Sequence, residues 1–381
     1  MGLRSSMPAG SSVFKNMLVG HIIAAIEEFA PKALQEDYDN TGLIIGSPAM
    51  ECDSALLTVD VTPAVVQEAI DRGCQLIISH HPLVFKGLKR FNGTTPVEQS
   101  VMMAIRAGIA VYACHTAVDN ARQGVSMQMC RMFGLGSPAP LDTQTDRCLK
   151  LVTFVPKSHA ESVRLALFDA GAGSIGDYDF CSFSSEGTGT FRPLEGADPF
   201  VGSIGDIHHE PEVRMEVLLP RWLKSKVTDA LLQTHPYEEP AYEFLTVDTN
   251  ASHTGCGAVG NLPKPLSPSE LADLVKRTFG SPVARCSTYP ADSQIHRVAL
   301  CGGSGSFLIS KAIAAGAQAF ITSDTKYHDF VDYADSIFLI DIGHHESENC
   351  TKDIFYHIIT KKIPNFAVKY SQKDTNPINY L

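Results

Sequence analysis

Two adjacent histidines, His80 and His81, directly follow a short apolar run at residues 76–79. Such a run predicts a buried strand, and the residues that follow a strand in an open α/β sheet commonly bind ligands. Neighbouring side chains on extended backbone point to opposite sides, so one metal ion would be hard for both imidazoles to reach. Two ions could take one imidazole each, and the pair therefore suggests a dinuclear metal site.

Two further segments place histidine and carboxylate side chains just past an apolar run. His115 and Asp119 follow one run, and His344 and Glu348 follow another. If a helix starts in the second segment, His344 and Glu348 are four residues apart and share one of its faces. The carboxylate of Glu348 would also lie near the positive end of the helix dipole.

The residue types predict the class of metal and of reaction. Imidazole and carboxylate together favour zinc, iron or manganese over calcium. A carboxylate shared by two ions, either Asp119 or Glu348, would hold them roughly 3.5 to 4 Å apart and let water ionise near neutral pH. Hydrolysis of a carbonyl, imine-like or phosphoryl centre is then the expected reaction type. His115 is placed to orient a ligand, to act as a general base or to be a further ligand.

The composition is typical of a globular protein that keeps its cysteines reduced. Hydrophobic residues make up 44% and charged residues 19% of the chain. The net charge of −11 argues against a nucleic-acid-binding surface. Ten scattered cysteines form no Cys-x-x-Cys pair, which predicts a reducing, cytoplasmic compartment. Neither a run of about 20 apolar residues nor a secretory-signal pattern is present, so no membrane association is expected.

A strand–helix–strand unit occurs twice in the sequence. When Gly73 is aligned with Gly316, residues 76–81, which are the apolar run and both histidines, align with residues 319–324. Two such units predict an α/β fold in which two related βαβ-containing halves form a helix-covered sheet core. The polar loops of the two halves should then face a common cleft.

A segment of different character separates the two halves. Its predicted order, βα followed by ββαβ, fits a ferredoxin-like α+β domain inserted into the core. The glycine-rich stretch at residues 187–205 is expected to be a projecting loop. The predicted organisation is a flexible tail at 1–16, a first core half at 17–148, the inserted domain at 149–248 and a second core half at 249–381.

Two other segments leave two interpretations open. The glycine run at 302–306 precedes a predicted helix and could cradle a phosphate, but such a run is more often a tight strand-to-helix turn. Asp324 and His328 lie in the loop that corresponds to the double histidine. They could line the cleft, and a surface turn is equally expected.

Four short motifs resemble, in order, the signatures of the Nif-three-like family, also called GTP cyclohydrolase 1 type 2 homologues. They are Asp39-Asn40-x-Gly42-Leu43, Ser79-His80-His81-Pro82, His115-Thr116-x-x-Asp119 and Gly343-His344-x-x-x-Glu348. The resemblance runs from about residue 17 to the C-terminus. The segment between the halves resembles the inserted domain of the family's long form, which is similar to CutA and nitrogen-regulatory proteins.

The resemblance implies a metal centre inside a homohexameric ring. The protein would be a metal-dependent hydrolase that acts on a nucleotide-like or other small substrate. The alternative is a non-catalytic regulatory or partner-binding ring protein. Tyr38 stands where many members carry Trp, and His345 and Glu346 are additional potential ligands in the last motif. The two divalent ions would be held by His80, His81, Asp119, His344 and Glu348, with His115, Asp39 and Asn40 lining the site.

Overall fold

A computed structural model of the chain describes residues 17–144, 148–249 and 254–381. The chain divides into two compact units: one combines Met1–Pro138 with Cys256–Leu381, and the other is Ala139–Gly255. The tail predicted at 1–16 lies outside the described residues. Over the described ranges, no helix is both long enough and apolar enough to cross a membrane.

The first sheet of the larger unit combines elements of the first core half with one strand and one helix from the segment predicted as the second half, 249–381. Its strands are β1 (Gly42–Ile45), β2 (Ser54–Thr58), β3 (Leu76–Ser79), β4 (Ala110–Ala113) and β15 (Ala367–Tyr370), and its helices are α1 (Val19–Phe29), α2 (Pro63–Asp71), α3 (Pro96–Ala107), α4 (Thr116–Asp119), α5 (Val125–Phe133) and α12 (Thr351–Lys362). The strand order is β1-β4-β3-β2-β15, with β1 antiparallel and the others parallel. Every residue of β2, β3 and β4 is buried, as expected for parallel strands covered on both faces.

The second half repeats this architecture. Its strands are β10 (Gly255–Leu266), β11 (Arg285–Cys286), β12 (Ile295–Ser304), β13 (Ala319–Ser323) and β14 (Phe338–Asp341), and its helices are α8 (Pro268–Phe279), α9 (Ile309–Ala314), α10 (Tyr327–Tyr333) and α11 (His344–Glu348). The order is β11-β14-β13-β12-β10, with β12, β13 and β14 parallel. One further strand, β5 (Gly136–Thr143), spans the boundary between the two units.

The predicted repeat is visible in matching hydrogen bonds. The side-chain oxygen of Gln75 accepts two backbone N–H groups at the start of β2, at 3.0 and 3.2 Å. Gln318 does the same at the start of β12, at 2.8 and 3.2 Å. Gly73 and Gly316 follow α2 and α9 with φ of 63° and 75°, a left-handed conformation that favours glycine. The prediction of an α/β fold with two related halves is confirmed.

The smaller unit is the inserted domain. Its elements are β6 (Cys148–Pro156), α6 (Ala160–Asp169), β7 (Phe183–Phe191), β8 (His208–Pro220), α7 (Lys224–Thr234) and β9 (Tyr242–Val247). The strand order β7-β8-β6-β9, antiparallel throughout, is that of the predicted ferredoxin-like domain. Leu151, Val163, Met215 and Leu231 form part of its buried core.

The prediction of a loop at residues 187–205 is wrong for residues 187–191. Residues 187–191 belong to β7, which pairs with β8 from Phe183 opposite Glu216 to Phe191 opposite His208. Glycine has a low preference for strands, but the pairing with a long neighbouring strand outweighs it. Local composition therefore misled the prediction where a tertiary contact decides the structure.

Candidate metal centre

Four histidines converge where parallel strands of the larger unit end. His80 and His81 follow β3, His115 lies two residues after β4, and His344 opens α11, shortly after β14. The ring centroid of His81 lies 4.8 Å from that of His80 and 5.3 Å from those of His115 and His344. The loops of both sequence halves thus meet at one place.

Each of these imidazoles is oriented by a hydrogen bond from Nδ1. The acceptors are the Cys114 carbonyl for His80 at 3.2 Å, Asp60 Oδ1 for His81 at 2.8 Å, Asp39 Oδ1 for His115 at 2.8 Å and Asp324 Oδ2 for His344 at 2.6 Å. Because the acceptors carry no hydrogen, Nδ1 must donate. Nε2 is then the ring nitrogen that remains available to bind a metal ion. This arrangement, with a carboxylate or carbonyl behind each imidazole, is usual for metal-binding histidines.

The Glu348 carboxylate lies among the Nε2 atoms. Its Oε1 is 3.5 Å from Nε2 of His80, whereas its Oε2 is 2.9 Å from Nε2 of His81 and 3.0 Å from Nε2 of His344. Asp119 Oδ1 is 3.9 Å from Nε2 of His80. The two oxygens of Glu348 therefore face different imidazoles.

Two of these polar atoms are buried without a hydrogen-bond partner. They are Nε2 of His80 and Oδ1 of Asp119. His80 is fully buried and Glu348 is 3% exposed. An unsatisfied buried polar atom costs about 1–3 kcal/mol, and a cation between these two atoms would satisfy both.

The ligand atoms form two overlapping groups. His80, His81 and His115 form one, and His81, His344 and Glu348 form the other; within each group the ligand atoms lie within 4.8 Å of one another. The residue types and spacings fit a divalent cation of the zinc, iron or manganese class.

Charge coupling within the cluster is strong. Burial alone would lower the pKa of His81, but hydrogen bonds with Asp60 and Glu348 raise it to about 10. Burial opposes the charged form of His344 too, yet Glu348 and Asp324 raise its pKa to about 9. Burial would raise the pKa of Glu348, but His80 and the other imidazoles hold it well below its ordinary value. Glu348 and the imidazoles of His81 and His344 thus stabilise each other's charged forms, whereas burial raises the pKa of Asp119.

Gly303 lies next to Glu348 and leaves space for its carboxylate. Gly303 has φ of 63°, and a Cβ at this position would overlap Oε1 of Glu348. Its backbone N–H donates to Oγ of Ser347 at 2.8 Å, which fixes the turn against α11. The glycine run at 302–306 therefore joins the end of β12 to the next helical turn, with Gly303 against the carboxylate.

The structure brings most of the predicted site residues together. The five predicted ligands and His115 form the cluster, and Asp39 contacts it through His115. Asn40 does not take part, because its side-chain amide donates to the Val84 carbonyl at 2.6 Å. Glu346 accepts a hydrogen bond from Asn376 at 3.1 Å instead of joining the cluster.

The remaining candidate of the last motif, His345, also lies apart. Its Nδ1 is 4.0 Å from Oδ2 of Asp60, on the far side of the carboxylate that orients His81. The helix starts at His344, so His344 and Glu348 share a face as predicted, whereas His345 points elsewhere.

Two features differ from the sequence reasoning. His80 and His81 do not diverge, since both Nε2 atoms reach the same carboxylate; the strand ends at Ser79, so the rule for extended backbone no longer applies to them. Asp60 was missed as a site residue. The signal that could have found it is its position two residues after β2, matching the placement of the other site residues after strands.

Comparison with known proteins gives matches over nearly the whole chain. A family model described as Duf34/NIF3 (NGG1p interacting factor 3) matches residues 17–377. A GTP cyclohydrolase 1 type 2 homolog of Halalkalibacterium halodurans is 34% identical over 365 residues, covering 94% of this chain and 98% of the relative. The corresponding Bacillus subtilis protein is 35% identical over 370 residues, covering 94% of this chain and 98% of its own.

Two solved structures also match nearly the whole chain. A Bacillus cereus protein related to NIF3 superposes with a TM-score of 0.85 at 35% identity, covering 96% of this chain and all (100%) of that one. A Staphylococcus aureus protein superposes with a TM-score of 0.77 at 28% identity, covering 97% of this chain and 100% of that one.

Proposed function

The chain belongs to the Duf34/NIF3 family, and from that premise we propose that it is a dinuclear metal-dependent hydrolase acting on a nucleotide-like or other small substrate. The supporting observation is that three imidazoles, those of His80, His81 and His344, face a buried carboxylate with Nε2 while an acceptor holds each at Nδ1. Relatives of this chain carry the name GTP cyclohydrolase 1 type 2 homolog, which agrees with a nucleotide-like substrate.

The ligand assignment follows from the contacts of Glu348. His81 and His344, which lie beside Oε2 of Glu348, and His80 and Asp119, which lie on the side of Oε1, would hold the two ions together with Glu348. When bound, such ions supply Lewis acidity and lower the pKa of coordinated water.

His115 is the residue we assign to proton transfer or to a further ligand position. Its ring contacts those of His80 and His81, and Asp39 fixes its Nδ1. Although burial favours a neutral carboxyl, hydrogen bonds from His115 and Thr116 hold the pKa of Asp39 well below its ordinary value. The resulting negative charge keeps the proton of His115 on Nδ1, so Nε2 is available to accept one.

The test has two stages, beginning with metal content. Protein purified without chelator should contain close to two transition-metal ions per chain by elemental analysis. Asp119→Ala should lower this content, whereas Asp53→Ala, at an exposed position, should not. Wild-type protein without transition metal would contradict the proposal.

The second stage is activity. A panel of nucleotides and phosphoesters should include at least one substrate whose turnover is lost in Asp119→Ala and retained in Asp53→Ala. Turnover that is equal in both variants would exclude a role of this centre in catalysis.

We further propose that the chain assembles into a homohexamer in the cytoplasm, because the resemblance of its four motifs implies the ring and its scattered cysteines suit a reducing compartment. Native mass spectrometry of the full chain should give six copies. A stable monomer or dimer at micromolar concentration would contradict this assembly.

The second candidate function is a non-catalytic regulatory or partner-binding ring protein. The observation that favours it is the separate inserted unit, Ala139–Gly255, which has a cavity of its own. If every turnover assay is negative while a metabolite raises the melting temperature, regulation is the better description.

A further inference from the structure

The inserted domain contains a cavity that is separate in sequence from the metal centre. Its volume is about 580 Å³, within the usual range for small-molecule sites. Aromatic side chains line much of it, among them Phe154, Phe191, Phe200 and Tyr237. The ring of Tyr237 lies 5.7 Å from that of Phe191 and 6.4 Å from that of Phe200. The lining therefore offers aromatic surface for a small ligand.

A nearly buried carboxylate, Glu212, also lines this cavity. The residue is 7% exposed, and its Oε1 accepts a hydrogen bond from the Tyr237 hydroxyl at 2.8 Å. Within the described ranges its Oε2 has neither a hydrogen bond nor an ion pair. A Cβ at Gly189, on the paired strand β7, would overlap the carboxylate. The glycine thus makes room for a charged group that is only partly satisfied.

The basic residues nearby do not neutralise Glu212. Arg214 pairs with Glu216 at 2.8 Å, and Lys157 pairs with Glu186 at 2.6 Å. Arg192, which also lines the cavity, makes no ion pair with Glu212 in the described part of the chain. Glu212 is 7% exposed and makes no ion pair in the described part of the chain, so a positively charged ligand in the cavity would stabilise its carboxylate.

We propose that this cavity binds a small organic cation, specifically a planar amidinium or protonated ring nitrogen carried on an aromatic body. Such a cation presents N–H donors to Glu212, and charge-assisted hydrogen bonds of this kind are among the strongest in proteins. The aromatic body stacks against Phe191, Phe200 and Tyr237, whose rings also attract cations. The inference does not depend on the metal centre, because every lining residue belongs to Ala139–Gly255.

The probe is benzamidine, with benzamide as its neutral counterpart of the same shape. Titration calorimetry on the full chain should give one benzamidine site per chain with a Kd on the order of 1 mM or tighter for a ligand of this size. Benzamide should bind about tenfold more weakly or worse, since it lacks the charge. Equal binding of the two compounds, or no benzamidine binding at several millimolar, would overturn the proposal.

Two variants locate the site. Glu212→Gln keeps the size of the side chain but removes its charge, and should weaken benzamidine binding about tenfold or more. Glu243→Gln, an exposed glutamate on β9 outside the cavity, is the matched control and should bind as wild type does. Unchanged affinity in Glu212→Gln would place the ligand elsewhere and refute the assignment.

A further variant tests the cavity at an exposed residue, where misfolding is not expected. Phe200 is 47% exposed, so Phe200→Ala should leave the inserted domain folded while removing one wall of the cavity. Fluorescence of Trp222, the single tryptophan of the chain, reports on the fold of this domain in each variant. Phe200→Ala should weaken binding several-fold with native fluorescence, and wild-type affinity in this variant would count against the cavity as the binding site.

Discussion

Nδ1 of His81 donates a hydrogen bond to Oδ1 of Asp60 over 2.8 Å, so an aspartate of the first half fixes an imidazole of the candidate metal centre. The other oxygen of Asp60 accepts a hydrogen bond from Thr375 at 3.2 Å. Burial would raise the pKa of Asp60, but the bond to His81 lowers it, so the carboxylate remains charged. The C-terminal segment, Asp60 and His81 therefore form one connected chain of contacts.

Asp60→Ala should weaken metal binding about 10- to 100-fold without removing a ligand. The reason is that an imidazole without its outer hydrogen bond loses its fixed orientation and some basicity. Competition with a chromophoric chelator measures the change. Asp53→Ala, an exposed change just before β2, should leave the affinity as it is. Equal affinities for both variants would mean that Asp60 does not orient a metal ligand.

Gly303→Ala should cost metal affinity, roughly tenfold or more, because the added methyl group displaces the Glu348 carboxylate. Gly316→Ala is the matched control: it has a similar positive φ of 75°, but no atom lies within 4 Å of its Cβ. Both variants should lose about 1–2 kcal/mol of stability from the strained backbone. Only Gly303→Ala should change the chelator competition, and the same loss in both would remove the steric argument.

The pH dependence of stability should contain a contribution from Glu68. This buried carboxylate accepts hydrogen bonds from Arg72 at 2.6 Å, from Ser371 at 2.6 Å and from the Gln372 amide at 3.0 Å. Burial would raise the pKa of Glu68, but these bonds, led by that of Ser371, lower it below 4.5. A carboxyl with a lowered folded-state pKa stabilises the protein above its unfolded pKa and loses this effect as the pH falls through the folded value.

Glu68→Gln should therefore destabilise the protein at pH 7 by about 1–3 kcal/mol, and the difference from wild type should shrink as the pH falls below 4.5. Hydrogen exchange at the Gln372 amide, which bonds to Glu68, should become faster. Glu28→Gln is the control, since Glu28 pairs with Lys362 while 71% exposed and should contribute less than about 1 kcal/mol. A difference that stays constant down to pH 3 would exclude the titration of Glu68 as its cause.

Leu151→Ala should destabilise the inserted domain by about 2–5 kcal/mol, because Leu151 is fully buried in its core and the change leaves a cavity. Leu245→Ala, at a position on β9 that is 45% exposed, is the control and should cost much less. Trp222 fluorescence during urea unfolding follows this domain specifically. If the two variants unfold at the same urea concentration, the packing described for Leu151 is incorrect.

Much of the centre could be predicted because each residue sits at the end of a strand that is legible from apolar runs. His80 and Glu348 were found in this way, since strand ends of both halves converge in a parallel α/β sheet. Asp60 also follows a strand, but it was not found because its contacts are with His81 and Thr375, which are distant in sequence.

The strand β7 could not be predicted for a related reason. Its glycine-rich sequence favours a turn locally, and only the pairing with β8 and the space required by Glu212 explain glycine at position 189. The secondary structure is predicted correctly where local preference and tertiary contacts agree, as in β3. It is predicted wrongly where they conflict, as in β7.

The contribution of both sequence halves to the histidine cluster has a consequence for the folding of the chain. His81 and Glu348 lie on opposite sides of the inserted domain in sequence, yet their side chains are 2.9 Å apart. A cation held between them would act as a reversible crosslink that exists only when both halves have folded and docked. Metal supply would then govern how long the native protein persists, as well as what it can do.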